Sequence, residues 1–188
     1  MKKASELSAA IIAELQESLA SVHDGQAELL ASKICAAKRV FLTGAGRSLL
    51  MVRACAMRLM QLGLTVYVPG EVVTPSIQKG DLLIVASGSG ETATVTLMAQ
   101  KAKAVGAELA LITIVADSTM GRLADTVITV DAASTKVADN QKTSIQLGAS
   151  LFEISVLLLL EAIVMLVVDQ KQIADPNRLL MKNHANLE

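Results

Sequence analysis

The chain has 188 residues, and 17 Lys and Arg balance 18 Asp and Glu to a formal net charge of −1. This charge and the lack of aromatic residues (no Trp, two Phe, one Tyr) argue against a nucleic-acid partner, because neither a basic surface nor a stacking platform is available. The length suits one domain, and a hydrophobic content of 52% indicates more apolar surface than one subunit can bury, which favours a homo-oligomer.

The first predicted elements are helices. Apolar residues recur at helical spacing from Leu7 to Val22, Asp24-Gly25 interrupts the pattern, and Ala27 to Ala37 resumes it. The preceding Met-Lys-Lys-Ala-Ser-Glu lacks the apolar core of a secretory signal peptide. Cys35 and Cys55 stand outside any CxxC motif, so we expect buried free thiols, no metal site and a cytoplasmic protein.

Short apolar runs then alternate with helical patterns. The predicted strands are Arg39–Thr43, Leu64–Val68, Leu82–Ala86, Glu108–Val115 and Asp125–Val130, with helices over Arg47–Leu62 and Thr92–Val105. Most of the strands are continuous runs of Val, Ile and Leu, which is typical of strands covered on both faces. This order predicts an α/β fold, a three-layer α/β/α sandwich around a mostly parallel five-stranded sheet.

A polar loop over Asp131–Lys142 precedes a long predicted helix, Ser144–Val168. The helix is long enough to cross a membrane, but it contains Glu153 and Glu161. An acidic residue at the centre of a bilayer costs roughly 2.5–3.5 kcal/mol. We therefore expect a helix buried in the core or in a subunit interface, and no membrane contact.

A short polar tail ends the chain after an N-cap at Asp175-Pro176. No repeat, linker or change in composition separates a second domain. The prediction is one domain over residues 1–188, with an N-terminal helical segment (1–37), a core (38–168) and a C-terminal tail (169–188).

Two loops rich in Gly and Ser lie between a predicted strand and a predicted helix: Gly44-Ala-Gly-Arg-Ser48 and Ser87-Gly-Ser-Gly-Glu-Thr92. Backbone N–H groups at a helix N-terminus carry partial positive charge, and glycines allow an anion to approach them. If the two strands are neighbours where the strand order reverses, both loops face one crevice. Neither loop is a Walker loop or a complete dinucleotide fingerprint, so the expected ligand is a smaller phosphate, with simple tight turns as the alternative.

The loops resemble those of the SIS (sugar isomerase) domain family, in which Ser-x-Ser-Gly-x-Thr after a strand holds a sugar phosphate. From about Arg39 to the C-terminus the chain is also similar to the 6-phospho-3-hexuloisomerases among SIS proteins. The similar segments include Ala56-Met-Arg-Leu-Met60, Thr74-Pro75, Lys79-Gly-Asp-Leu-Leu83, Leu151-Phe-Glu153 and the ending His184-Ala-Asn-Leu-Glu188.

This resemblance implies interconversion of arabino-3-hexulose 6-phosphate and fructose 6-phosphate through an enediol, as in formaldehyde fixation by the ribulose monophosphate pathway. It implies no cofactor and no metal, and a dimer or tetramer. The implied phosphate-binding residues are Ser48, Ser87, Ser89 and Thr92, helped by the backbone N–H groups of Gly88, Gly90 and Glu91.

Three further residues carry hypotheses about chemistry. Glu153 is the candidate catalytic base, because a charged residue in so apolar a helix is costly to bury unless it is paired or functional. The alternative interpretation is that Glu153 is a carboxylate paired with another group at a subunit interface. Arg47 either adds charge at the phosphate or sugar or forms a salt bridge at a helix start. His184 either contacts the substrate, of its own subunit or of a neighbouring one, or is a surface residue of the tail.

Two rival functions stay open. One is isomerisation of another phosphosugar, such as a heptose or amino-sugar phosphate, and the ending from His184 argues against it. The other is a non-catalytic sugar-phosphate sensor, as SIS domains serve in transcription regulators. It would not require Glu153, and the chain has no basic helix-turn-helix segment in its favour.

Overall fold

The computed structural model describes residues 3–135, 137 and 142–187 and contains a sheet enclosed by helices. The strands are β1 (Val40–Gly44), β2 (Val66–Tyr67), β3 (Leu82–Ala86), β4 (Glu108–Thr113) and β5 (Thr126–Thr129). The helices are α1 (Ala4–Ala20), α2 (Asp24–Ala36), α3 (Arg47–Gln61), α4 (Ala93–Ala104), α5 (Thr119–Leu123), α6 (Ser150–Gln170) and α7 (Pro176–Lys182).

All strand pairs are parallel, and the order across the sheet is β2-β1-β3-β4-β5. The chain runs from β1 out to the edge strand β2 and then returns to β3 on the other side of β1. The strand order therefore reverses between β1 and β3, which pair from Val40 beside Leu82 to Gly44 beside Ala86. The two loops identified in the sequence follow these strands, so the expectation that they share one edge of the sheet is confirmed.

Both faces of the sheet are covered. In β3, Leu82 and Ile84 belong to a hydrophobic cluster with α2, α3 and α6, whereas Leu83 and Val85 belong to a second cluster with α4 and Met120 of α5. All five residues of β3 are buried. Burial on both faces explains why the strand sequence does not alternate, and the predicted α/β/α sandwich is confirmed.

The helix α6 starts six residues later than predicted and ends two residues later, at Gln170. It begins at Ser150 rather than Ser144, because Gly148 has a φ of +64° and the chain turns there before the helix starts. Two other predictions were incomplete: β2 is only two residues long, and the five-residue helix α5 was not expected. A helix of little more than one turn leaves almost no periodic signal in a sequence.

Within the described residues, α6 is the helix long and apolar enough, by length and composition, to cross a membrane. Ten of its 21 residues are buried, and Phe152, Val156 and Leu160 are among those in the larger hydrophobic cluster. Glu153 and Ser155 are buried with them. Burial of this extent is typical of a helix in the core of a folded domain.

The two cysteines are free and differ in burial. Cys55 is buried, and burial raises the pKa of its thiol to about 12. Cys35 is only half-buried, so the expectation of two buried thiols was correct for Cys55 alone.

Candidate active site

The loops after β1 and β3 lie side by side at the carboxyl edge of the sheet. Gly44 ends β1 opposite Ala86, and a Cβ atom at Gly44 would lie 3.0 Å from the carbonyl oxygen of Ala86 and 3.1 Å from the nitrogen of Leu49. Only glycine fits between the neighbouring strand and the start of α3 without a shift of the backbone. The close approach keeps the N-terminus of α3 next to the β3–α4 loop.

The β3–α4 loop brings its hydroxyl groups together. The Oγ of Ser87 lies 3.2 Å from the Oγ1 of Thr92, and the N–H of Glu91 donates to the Oγ of Ser89 at 3.2 Å. The N–H of Gly90 donates to the carbonyl oxygen of Ser87, also at 3.2 Å. Two of the three predicted backbone donors, Gly90 and Glu91, are thus engaged within the loop, so a bound anion would have to compete for them.

Neither α3 nor α4, the helices that follow the two loops, has a side-chain cap. Thr92 is the N-cap residue of α4, but its side chain makes no capping hydrogen bond. The N-cap of α3 is Gly46, which has no side chain and a φ of +56°. The partial positive charge of two helix N-termini is therefore directed at the same edge without a capping side chain to offset it, which favours an anion there. Ser48, in the first turn of α3, is half-buried beside this edge.

Hydrogen bonds to the first turn of α5 hold the β3–α4 loop in place. The carboxylate of Glu91 accepts a hydrogen bond of 2.6 Å from the N–H of Thr119, and the N–H of Met120 donates to the carbonyl oxygen of Gly90 at 3.1 Å. The bond from the Thr119 backbone, reinforced by the Thr119 side chain, holds the pKa of Glu91 below its usual value. Sequence reasoning considered only the backbone of Glu91 and missed this anchoring role, because α5 itself was not predicted.

The first turn of α6 packs against the middle of the same loop. A Cβ atom at Gly88 would lie 3.3 Å from the Cδ1 of Ile114 and 3.5 Å from the Cδ1 of Phe152. The first turn of α6, which contains Glu153, therefore lies against the β3–α4 loop. The side chain of Glu153 is only 11% exposed.

Glu153 has a charged partner. The Nε of Arg47 donates a hydrogen bond to its Oε2, so the start of α3 is joined to the start of α6. The Arg47 side chain is 56% exposed, which leaves much of the guanidinium facing solvent. Of the two roles considered for Arg47, the salt bridge is the contact present in this structure, and its partner is the candidate base.

His184 lies away from this site within one chain. It follows α7 and is exposed, and its neighbour Asn183 donates from its amide to the carbonyl oxygen of Gln61 at 2.8 Å. Gln61 ends α3, whereas Arg47 begins it, and a helix of this length separates its ends by about 21 Å. A role for His184 at the loops would therefore require a second copy of the chain.

Comparison with known proteins identifies the family. Residues 33–160 match the SIS domain family. A 3-hexulose-6-phosphate isomerase of Bacillus subtilis is 36% identical over 186 residues, which cover 99% of this chain and 100% of that protein. Another, from Methylomonas aminofaciens, is 42% identical over 178 residues, which cover 95% of this chain and 96% of that protein.

A solved structure agrees with these sequence matches. It belongs to a protein of Methanococcus jannaschii for which the molecular function of a 3-hexulose-6-phosphate isomerase was inferred. The TM-score is 0.80 at 28% identity, over 97% of this chain and 99% of that one. The resemblance seen in the loops therefore extends over the whole fold. The chain belongs to the SIS domain family and, within it, to the group that includes the 3-hexulose-6-phosphate isomerases.

Proposed function

We propose that the protein is a phosphosugar isomerase that interconverts arabino-3-hexulose 6-phosphate and fructose 6-phosphate. The observation that carries the proposal is the ion pair between the buried carboxylate of Glu153 and Arg47, the first residue of α3, at the sheet edge where α3 and α4 begin without side-chain caps. The family relationship to proteins named for this reaction supports the choice of substrate.

In this proposal the phosphate binds between the two loops. The hydroxyls of Ser48, Ser87, Ser89 and Thr92 donate to its oxygens, and the N-termini of α3 and α4 stabilise its charge. A hydrogen bond to a charged group contributes about 1.5–3 kcal/mol. Several such bonds suffice to anchor one end of a small sugar while the other end reacts.

The proton transfer is assigned to Glu153. Its carboxylate accepts the proton bound to C2 of the 3-keto sugar, and the electron pair of that bond forms the C2–C3 double bond as the C3 carbonyl becomes an oxyanion. The O3 oxyanion then takes up the hydroxyl proton of O2, Glu153 returns its proton to C3, and the carbonyl forms at C2. The product has the same atoms as the substrate, so the reaction consumes no oxidant or reductant.

Arg47 serves two purposes in this scheme. In the free protein it pairs with Glu153, and its exposed guanidinium lies where the sugar would enter. When substrate is bound, the same cation can stabilise the oxyanion of the enediol intermediate. A fixed positive charge is more effective there than water, because it needs no reorganisation during the reaction.

We further propose that the protein acts in the cytoplasm as a homo-oligomer, a dimer or a tetramer. Grooves of about 640 and 450 Å³ flank the exposed Met165 on the outer side of α6, and a second copy would cover this apolar surface. A neighbouring copy is also what a contact between His184 and the substrate requires. The reaction would serve formaldehyde fixation through ribulose monophosphate, or its reversal to supply pentose phosphate.

A coupled assay tests the proposed reaction. Arabino-3-hexulose 6-phosphate is generated from formaldehyde and ribulose 5-phosphate by a synthase, and fructose 6-phosphate is followed through glucose 6-phosphate to NADPH. We expect turnover by the wild type, its loss in Glu153→Gln, and its retention in Glu161→Gln, which removes a second carboxylate from the same helix.

Thermal melting separates the alternatives. Glu153→Gln should still be stabilised by fructose 6-phosphate, because the phosphate site is intact. A wild type that binds fructose 6-phosphate without turnover would instead favour a sensor or another phosphosugar as substrate. Full activity of Glu153→Gln would refute the assignment of the base and leave the phosphate site standing.

A further inference from the structure

We propose that α1 positions the candidate base: a polar stripe formed by Glu14 and Ser18 of α1 and by its C-cap residue Ser21 sets where the first turn of α6 lies relative to the two loops. The inference rests on the proposed role of Glu153. These three residues are spaced four and three apart and therefore lie on one side of α1, which packs against α6.

Glu14 holds the segment that leads into α6. Its carboxylate accepts hydrogen bonds from the N–H of Ile145 at 2.8 Å, from the Oγ of Ser144 at 2.8 Å and from the Nε2 of Gln146 at 3.0 Å. The turn at Gly148 follows, and the N–H of Glu153 donates to the carbonyl oxygen of Ala149 at 3.0 Å. One carboxylate on α1 thus fixes the chain a few residues before the candidate base.

Burial raises the pKa of Glu14, but the hydrogen bonds from Gln146, Ile145 and Ser144 outweigh burial and hold the pKa below its usual value. The carboxylate is therefore charged when it makes these bonds. Hydrogen bonds to a charged acceptor are shorter and stronger than neutral ones, so the anchor is stiff.

Ser18 holds α6 itself on the other side of Glu153. Ser18 and Ser155 are fully buried, and the Oγ of Ser155 donates to the Oγ of Ser18 at 3.2 Å. The Oγ of Ser18 in turn donates to the carbonyl oxygen of Asp131 at 2.8 Å, just after β5. Ser21 completes the stripe, because its Oγ accepts a hydrogen bond of 3.0 Å from the N–H of Asp131. The stripe therefore connects the end of the sheet to α6.

The polar character of the stripe matters because α6 is otherwise so apolar. Hydrophobic packing is not directional, so a row of Leu and Val side chains tolerates small displacements along a helix axis. Hydrogen bonds require a narrow range of distances and angles, so they do not tolerate such displacements. The stripe therefore restrains the position of Glu153 along the axis of α6, relative to the β3–α4 loop. A displacement of a catalytic group by about 1 Å can lower the rate of the catalysed reaction about a hundredfold.

The test compares Glu14→Ala with Glu17→Ala, which removes a largely exposed carboxylate from the same helix; its contact with Lys142, at 3.5 Å, is longer than each of the Glu14 hydrogen bonds. In the coupled assay, well below the melting temperature of each variant, we expect Glu14→Ala to lower kcat about tenfold or more. KM should stay within about twofold, because the phosphate-binding loops are not touched. Glu14→Gln should recover part of kcat, since its amide oxygen can still accept a hydrogen bond. Glu17→Ala should behave as the wild type.

Hydrogen exchange gives a readout that does not depend on the reaction. Amides of Ser150 to Glu153 should exchange faster in Glu14→Ala than in Glu17→Ala, whereas those of the β3–α4 loop should not change. Unchanged exchange together with unchanged kcat would overturn the inference, as would equal losses in kcat and affinity. A wild type without turnover would instead count against the proposed function, and the exchange data would still decide the role of Glu14.

If Glu14→Ala does not fold, Ser144→Ala and Gln146→Ala remove two of the three contacts of Glu14 from the other side and leave the bond from the N–H of Ile145. The double variant should show the same loss of kcat at nearly constant KM. A double variant with wild-type kcat would overturn the inference equally.

Discussion

The guanidinium of Arg47 donates to the carboxylate of Glu153, and this contact joins the first residue of α3 to the first turn of α6 across 106 positions of sequence. The two helices pack against each other in the larger hydrophobic cluster, on one face of the sheet. Their ion pair therefore lies at the start of α3, directly after the loop that follows β1. It also gives the candidate base a cation that can turn to the substrate.

Removal of Arg47 should reduce activity as well as stability. We expect Arg47→Ala to lower kcat/KM by roughly ten- to a hundredfold, because the charge proposed to stabilise the enediol oxyanion is lost. The free energy of unfolding should fall by about 1–3 kcal/mol, since the arginine is more than half exposed but its loss leaves the buried Glu153 without this cation. Steady-state kinetics and urea unfolding measure the two effects. The control is Arg53→Ala, which removes another arginine of α3 and breaks its exposed ion pair with Glu71. Equal losses of activity in both variants would contradict the prediction.

The hydroxyl of Thr92 should act on binding rather than on the chemical step. Thr92→Val removes a proposed phosphate donor that now lies 3.2 Å from the Oγ of Ser87. We expect about a tenfold rise in KM and in the dissociation constant of fructose 6-phosphate, with kcat nearly unchanged. Thr92→Ser should restore both values, and Thr94→Val, at an exposed position in the first turn of α4, should change neither. A loss of kcat at constant KM would place Thr92 in the chemistry instead.

Gly90 should not tolerate a side chain. Its φ is +65°, and a Cβ atom there would lie 2.0 Å from the Oγ of Ser118. Gly90→Ala should therefore displace the loop from α5, lower the free energy of unfolding by about 1–3 kcal/mol and weaken phosphate binding. Gly63→Ala has similar backbone strain, with φ at +85°, but open space around the new atom, and it lies outside the site. Melting curves with and without fructose 6-phosphate should show a ligand-dependent shift that is reduced only in Gly90→Ala.

Asp81 should matter for stability and not for catalysis, because it lies just before β3, at the opposite edge of the sheet from the loops. Its buried carboxylate accepts from the Nε of Arg39 at 2.9 Å, from the Nη2 of Arg39 at 2.6 Å and from the N–H of Gln78 at 2.7 Å. Asp81→Asn should lower the free energy of unfolding by about 3 kcal/mol, and kcat measured well below the melting temperature should not change.

The same carboxylate predicts a pH dependence. Burial raises the pKa of Asp81, but the hydrogen bonds from Arg39 and Gln78 outweigh it and hold the pKa below the usual value of 3.8. A carboxylate with a lowered pKa in the folded state stabilises the fold above pH 3.8, and this contribution is lost as the pH falls through the lower folded-state value. Melting temperatures measured from pH 6 to pH 3 should therefore fall less steeply for Asp81→Asn than for the wild type. Parallel curves would contradict the assignment.

Mixing inactive variants tests whether a neighbouring copy contributes His184. If the site combines Glu153 of one chain with His184 of another, Glu153→Gln and His184→Ala are both impaired when pure. Refolding them together should restore part of the activity, because some mixed assemblies contain one intact site. A mixture with no more activity than its components would argue against a shared site. Full activity of His184→Ala would show that His184 is not part of the active site.

Much of the fold and the outline of the site could be predicted from the chain alone. Strands such as Leu82–Ala86 were recognised because burial on both faces imposes a continuous apolar run, and the loops because glycine and hydroxyl residues are required where a strand meets a helix around an anion. Glu153 was identified because a charged side chain within a long apolar helix is costly to bury unless it is paired or functional. These features are local, so each is encoded within a few neighbouring residues.

The tertiary structure decided what depends on residues far apart in sequence. The partner of Arg47, the anchoring of the β3–α4 loop by Glu91 and the hold of Glu14 on the segment before α6 each join elements that no periodic pattern links. The start of α6 was misplaced for the same reason, since residues 144–146 bond to α1 instead of continuing a helix. Local propensity determined which elements form, and only the packing of distant elements determined which side chains meet.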